Sequence, residues 1–158
     1  MEMNQTSNMK ATRNKVMMEN DEIEEVIRGE ISAAEAYEQV MESLKTDPEA
    51  QRLQSFHEDH LDAVDYWKEQ SMKDNILDDD SSGIWGTAVK GFVGLSKLFG
   101  STSALAALRE GEEYGLKLYK DLVKSENLSE EQKEQISTHF IPLQEKHIDS
   151  LNAIIKLQ

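Results

Sequence analysis

Apolar residues return at three- and four-residue steps through four separate stretches of this 158-residue chain, and nowhere do they alternate at every second position. That periodicity confines the chain to helices that each bury one stripe, because a strand needs the two-residue period and an enrichment in β-branched residues. The first stripe is Ile23, Val26, Ile27, Ala33, Ala34, Tyr37, Val40, Met41 and Leu44, and the second is Leu53, Phe56, Val64 and Trp67. The third is Leu105, Leu108, Leu116, Tyr119, Leu122 and Val123, and the fourth is Ile136, Phe140, Leu143, Leu151 and Ile154. The punctuation agrees. Asp47-Pro48 reads as an N-cap with proline at the first helical position, Ser101-Thr102-Ser103 offers a cap to the third helix, and Ser129 with Gln132 makes a capping box. Pro142 falls inside the fourth stripe, where it removes one backbone hydrogen bond and bends the helix.

Short links join the first helix to the second and the third to the fourth, which makes each pair an antiparallel hairpin. Between the second and third lie roughly 25–30 residues, far more than adjacent helices need. A link of that length can carry the chain across a bundle. It contains the break Asp78-Asp79-Asp80-Ser81-Ser82-Gly83 and then a short amphipathic helix within 83–100, with Trp85, Val89, Phe92, Leu95 and Phe99 on one side. The expected fold is all-α, a ferritin-like four-helix bundle with a long crossover between helices 2 and 3. Residues 1–20 are polar and lack a stripe, so they read as a flexible N-terminal tail, disordered or loosely helical, ahead of a single domain at 21–158.

Charge and composition narrow the function. With 17 basic against 31 acidic residues the net charge is −14, which repels nucleic-acid phosphates and anionic lipid surfaces. The absence of cysteine excludes disulfides, thiolate metal sites and cysteine nucleophiles. No apolar run suits a secretory signal or a membrane span, so the expected location is cytoplasmic, without stable membrane insertion. No phosphate-binding glycine loop and no nucleophile elbow occur.

The two halves repeat a pattern. Gly29-Glu30 is followed seven residues later by Tyr37, and Gly111-Glu112 seven residues later by Tyr119. The second helix carries His60-Leu61-Asp62 and the fourth His147-Ile148-Asp149. Each helix thus places one ionisable residue on its apolar stripe: Glu30, His60, Glu112 and His147. Buried charges are costly unless paired, so four of them related by a repeat point to convergence on a shared polar centre. In dinuclear carboxylate bundles, two helices give one Glu each and the other two give Glu-x-x-His. Here the residues three before the histidines are His57 and Gln144, neither of them a carboxylate, and two metals require more anionic charge than two glutamates bring. One divalent ion (Fe, Zn or Mn) held by Glu30, His60, Glu112 and His147 satisfies the chemistry, with Tyr37, Tyr119, Gln144 and His57 around it. So does a metal-free network in which the acids bond the histidines.

Four segments carry a family resemblance. Arg28-Gly29-Glu30-Ile31-Ser32-Ala33 with Tyr37-Glu38-Gln39, Ser82-Gly83-Ile84-Trp85-Gly86, Ala104 through Glu113, and Leu143-Gln144-Glu145-Lys146-His147-Ile148 occur in order across roughly residues 20–157. In these the chain resembles a bacterial ferritin-like family, a four-helix-bundle domain of unknown function. The resemblance implies the ferritin-like bundle, cytoplasmic residence, a dimer and a part in stress response. By analogy with ferritins and rubrerythrins it places Glu30, His60, Glu112 and His147 at terminal ligand positions, with His57 and Gln144 where bridging acids stand. Three functions follow: a bundle with a remnant or mononuclear centre, a metal-free structural or partner-binding module docking another protein or its own copy through 83–100, and an iron-oxidising or peroxide-consuming enzyme.

Overall fold

The computed structural model describes residues 2–44, 48–73 and 100–158. Every element among them is helical: α1 (Glu2–Ser43), α2 (Glu49–Lys73), α3 (Ser101–Leu122), α4 (Glu130–Gln135), a π-helical turn (Ile136–Phe140) and α5 (Ile141–Leu157). The all-α expectation holds. None of the described helices is long and apolar enough to cross a membrane.

The helices lie side by side around two apolar clusters. In one, Tyr37, Val40 and Leu44 of α1 meet Leu53 and Phe56 of α2, Leu105 and Leu108 of α3, and Leu151 and Ile154 of α5. In the other, Ile23, Val26 and Ile27 meet Val64 and Trp67, Tyr119 and Leu122, and Ile136 and Phe140. The order of these residues along each helix fixes direction: α1 runs antiparallel to α2 and α3, and α5 antiparallel to α3. The end of α2 therefore lies at the opposite end of the molecule from the start of α3. The expected break at 78–83, the amphipathic helix of 83–100 up to Phe99, and the cap Asp47 lie outside the described residues.

Local differences have physical reasons. Residues read as a tail are helical from Glu2 onward, with the side chains of residues 5–18 exposed and outside both clusters. Stripe periodicity marks where a helix is buried, not where it begins. The cap of α3 is not one of its serines or its threonine. Gly100 takes that place at φ 92°, a backbone conformation suited to glycine, and makes no side-chain cap bond. Ser101 Oγ instead donates to Gln158 Oε1, tying the start of α3 to the C-terminus. Just before Pro142, where the sequence predicts a bend, lies the π-helical turn, in which the Ile141 N–H reaches back five residues to the Ile136 carbonyl. Leu116 and Leu143, read as inward, are half-buried, and Gln144 occupies the buried position beside Leu143.

The capping box stands as read: the Gln132 N–H donates to Ser129 Oγ at 3.2 Å and the Ser129 N–H to Gln132 Oε1 at 2.8 Å, with Gln132 itself buried. Ser129→Ala removes one of the two bonds and lowers stability by about 1 kcal/mol. In a thermal melt that appears as a fall of about 2–4 °C.

Candidate functional site

On α1, α2, α3 and α5 the boundary between the two apolar clusters is a polar residue. Glu30 lies between Ile27 and Tyr37, His60 between Phe56 and Ala63, Glu112 between Leu108 and Tyr119, and His147 between Phe140 and Leu151. All four are at most 5% exposed. Helical spacing puts them on the inward stripe, and the side-by-side packing brings them to one level.

There they join a continuous network. His60 Nδ1 lies 2.6 Å from Glu30 Oε2, and its Nε2 lies 3.0 Å from Glu112 Oε1. His147 Nδ1 is 3.0 Å from the same Glu112 oxygen, and its Nε2 is 3.0 Å from Asp59 Oδ2. The tyrosines cross over between the halves: the Tyr37 hydroxyl of α1 donates to Glu112 of α3 at 2.5 Å, and the Tyr119 hydroxyl of α3 donates to Glu30 of α1 at 2.5 Å. Trp67 Nε1 donates to the Tyr119 oxygen at 3.1 Å, so this residue, read from sequence as packing, also orients the network. The Gln144 amide, turned with its nitrogen toward Glu112, donates to Glu112 Oε2 and to the Glu112 carbonyl at 3.1 Å. Phe56 stacks on the His147 ring with centroids 4.3 Å apart.

Electrostatics follow from the contacts. Burial alone lowers the His60 pKa, but the hydrogen bonds to Glu112 and Glu30 and their two charges outweigh it and raise the value from 6.5 to about 10. Burial alone raises the Glu112 carboxyl, yet the bonds from His147 and His60 bring it from 4.5 down to about 2. Burial, then the neighbouring carboxylates, push the Tyr37 and Tyr119 phenols well above 10, so both remain proton donors at neutral pH.

Among the described residues, His60, Glu112 and His147 offer ligand atoms that all lie within 4.8 Å of one another, and this group can hold a metal ion. Each imidazole presents one nitrogen toward that group and its other nitrogen to a carboxylate, Glu30 for His60 and Asp59 for His147. This is the arrangement that fixes tautomer and ring orientation at metal sites. Glu30, read from sequence as a fourth ligand, lies instead behind His60. His57 stays apart: it is half-buried, one turn before His60, and its Nδ1 has no hydrogen-bond partner among the described residues. Glu58 and Glu145 point away, as their position about 100° round the helix requires, and bond Gln54 and Lys120 on the surface. Sequence reasoning missed Asp59. Its signal was its place three residues after Phe56 and four before Ala63, on the flank of the stripe. Comparison with known proteins identifies no relative: no protein-family model, curated protein or solved structure matches the chain.

The pH dependence of the metal-free protein follows from these shifts. His60, raised in the fold, contributes its full stabilisation below about 6.5 and loses it as pH rises through about 10. Glu112, lowered in the fold, contributes fully above about 4.5 and loses it as pH falls toward 2. Calorimetry after chelator treatment should find the melting temperature highest between about pH 4.5 and 6.5 and falling toward pH 10, with a flatter alkaline limb in His60→Gln. A melting temperature that climbs between pH 7 and 10 contradicts this assignment.

Proposed function

We propose that this chain is a ferritin-like four-helix bundle that binds one divalent metal ion through His60 Nε2, His147 Nδ1 and a Glu112 carboxylate oxygen. The observation that carries the reading is the convergence of these three atoms within 4.8 Å in a buried site. The topology supports the bundle assignment. Two antiparallel hairpins whose second and third helices run parallel require a link that travels the length of the molecule, as ferritin-like bundles have.

The donor set suits the ion. Two imidazoles and one carboxylate match Zn, Fe or Mn, and Glu30 and Asp59 hold the rings from behind. A bound divalent ion supplies Lewis-acid chemistry at this point. The chain's own groups do the rest: Tyr37 and Gln144 orient Glu112, Tyr119 and Trp67 orient Glu30, and the two apolar clusters keep bulk water away. A dinuclear centre is disfavoured by the same residues. The positions for bridging acids hold His57, which stays outside the network, and Gln144, which donates to Glu112 instead of contributing charge.

Because His60 carries a proton near neutrality in the metal-free state, an incoming ion must displace it. Metal affinity therefore rises with pH across the neutral and mildly alkaline range, by about tenfold per unit for one released proton. Titration calorimetry in buffers of differing ionisation enthalpy should give about one ion per chain and at least one proton released. Glu112→Ala and His147→Ala should each abolish stoichiometric binding. Wild-type protein that binds no ion, or variants that bind as wild type does, would refute the centre.

A second reading, self-association through helix surfaces, is favoured by the start of α1. Met9, Met17 and Met18 are each more than half exposed there, and residues 3–18 hold Lys10, Arg13 and Lys15 with no acid, whereas all 31 acidic residues lie elsewhere in the chain. An apolar, basic arm complements the acidic body of a second copy. On this reading light scattering finds a dimer at low salt that dissociates at high salt, and Lys10→Glu, Arg13→Glu, Lys15→Glu is monomeric at both. Identical masses for the two proteins at low salt would remove it.

A further inference from the structure

The candidate centre is buried, so an ion must cross the helix wall to reach it, and between α1 and α3 that wall is thin. A cavity of about 730 Å³ lies there, with the exposed residues Glu25, Gly29, Glu110 and Gly111 on its outer walls and the buried Tyr37 and Glu112 at its floor. Beside it a smaller space of about 40 Å³ is bounded by Glu30, His60, Glu112 and Tyr119. That is room enough for a water molecule. The two spaces share Gly29, Ala33, Gly111, Tyr114 and Glu112, so the first four line the wall between solvent and the Glu112 ligand.

The glycines are the informative part. Glycine inside a helix is destabilising relative to alanine, so a pair of them at matching repeat positions needs a reason. Crowding is not the reason at Gly29 and Gly111, since a Cβ built at either meets no described heavy atom within 4 Å. Gly115 is the contrast: a Cβ there comes within 3.1 Å of the Gln144 amide that bonds Glu112, so its absence serves close packing. What Gly29 and Gly111 provide is open space one residue before Glu30 and Glu112.

We propose that divalent metal ions reach the centre through this α1–α3 passage, kept open by Gly29 and Gly111 and drawn in by the carboxylates of Glu25 and Glu110 at its mouth. Arg28, the cation on the same wall, faces Glu24 at 3.7 Å, which offsets its repulsion. The inference rests on the metal-binding reading above and adds a route to it.

The test mixes metal-free full-length protein with Co²⁺ in a stopped-flow instrument and follows the visible ligand-field bands of the bound ion. Gly29→Leu and Gly111→Leu place a side chain in open space, and should slow loading by about tenfold or more. A blocked passage slows release to a chelator by the same factor, since both directions cross it, and leaves the dissociation constant where it was. Disturbed ligands would instead speed release and weaken binding. Gly29→Ala and Gly111→Ala act as the fold control, each melting about 2–4 °C higher than wild type through better helix propensity. Glu25→Gln with Glu110→Gln should slow loading and weaken its dependence on ionic strength. Leucine variants that fold, bind one ion and load at the wild-type rate overturn the passage alone. Wild-type protein that takes up no Co²⁺ overturns the centre itself, and the passage with it.

Discussion

One carboxylate oxygen holds the interior together. Glu112 Oε1 faces the Tyr37 hydroxyl from α1, His60 Nε2 from α2 and His147 Nδ1 from α5, all at 2.5–3.0 Å. A charge in this setting is very costly unless donors surround it, and here the donors come from three different helices. The bonds therefore dictate how each helix is rotated about its axis and how far it slides along its neighbours. An apolar core of the same volume would tolerate small rotations; directional bonds at this oxygen do not. The two apolar clusters above and below supply most of the burial, while the polar layer between them specifies the register in which they meet.

That layer is built for a cation whether or not a metal is present. Without one, protonated His60 lies between Glu30 and Glu112 with one N–H toward each, and balances part of their charge. In the proposed metal-bound state an ion takes the place beside Nε2 and the Glu30 bond to Nδ1 remains. The framework then needs little rearrangement, because the rings are already held from behind by Glu30 and Asp59. Tyr37 and Tyr119 fit both states, since their phenols stay protonated and can only donate to a carboxylate.

The internal repeat is kept in the acids, tyrosines and histidines and broken around them. His60 is backed by Glu30 of the neighbouring hairpin strand of helix, α1, whereas His147 is backed by Asp59 of α2, across the molecule. At the position matching Asp59 the second half has Lys146, which is exposed. Where the first half has Trp67 to fix Tyr119, the second has Ile154, which only packs. Three groups can therefore close around an ion, while Glu30 is drawn away to the far nitrogen of His60.

Apolar periodicity determined the helical class, the inward faces and the four polar residues that interrupt the stripes, and the Ser129–Gln132 pair determined the capping box. These are properties of a single helix, set by the angle of each residue about one axis and by local backbone chemistry. Asp59 was not legible, because one residue off the stripe looks solvated until α5 brings His147 against it. Nor were the roles of Glu30 and His57, the orientation of Gln144 or the nitrogen each imidazole turns toward Glu112. Those depend on the relative rotation and height of neighbouring helices, which a one-dimensional pattern does not contain. Only the packed structure decides them, since a hydrogen bond forms or fails over a few tenths of an ångström, whereas a stripe position is fixed only to a sector of the helix.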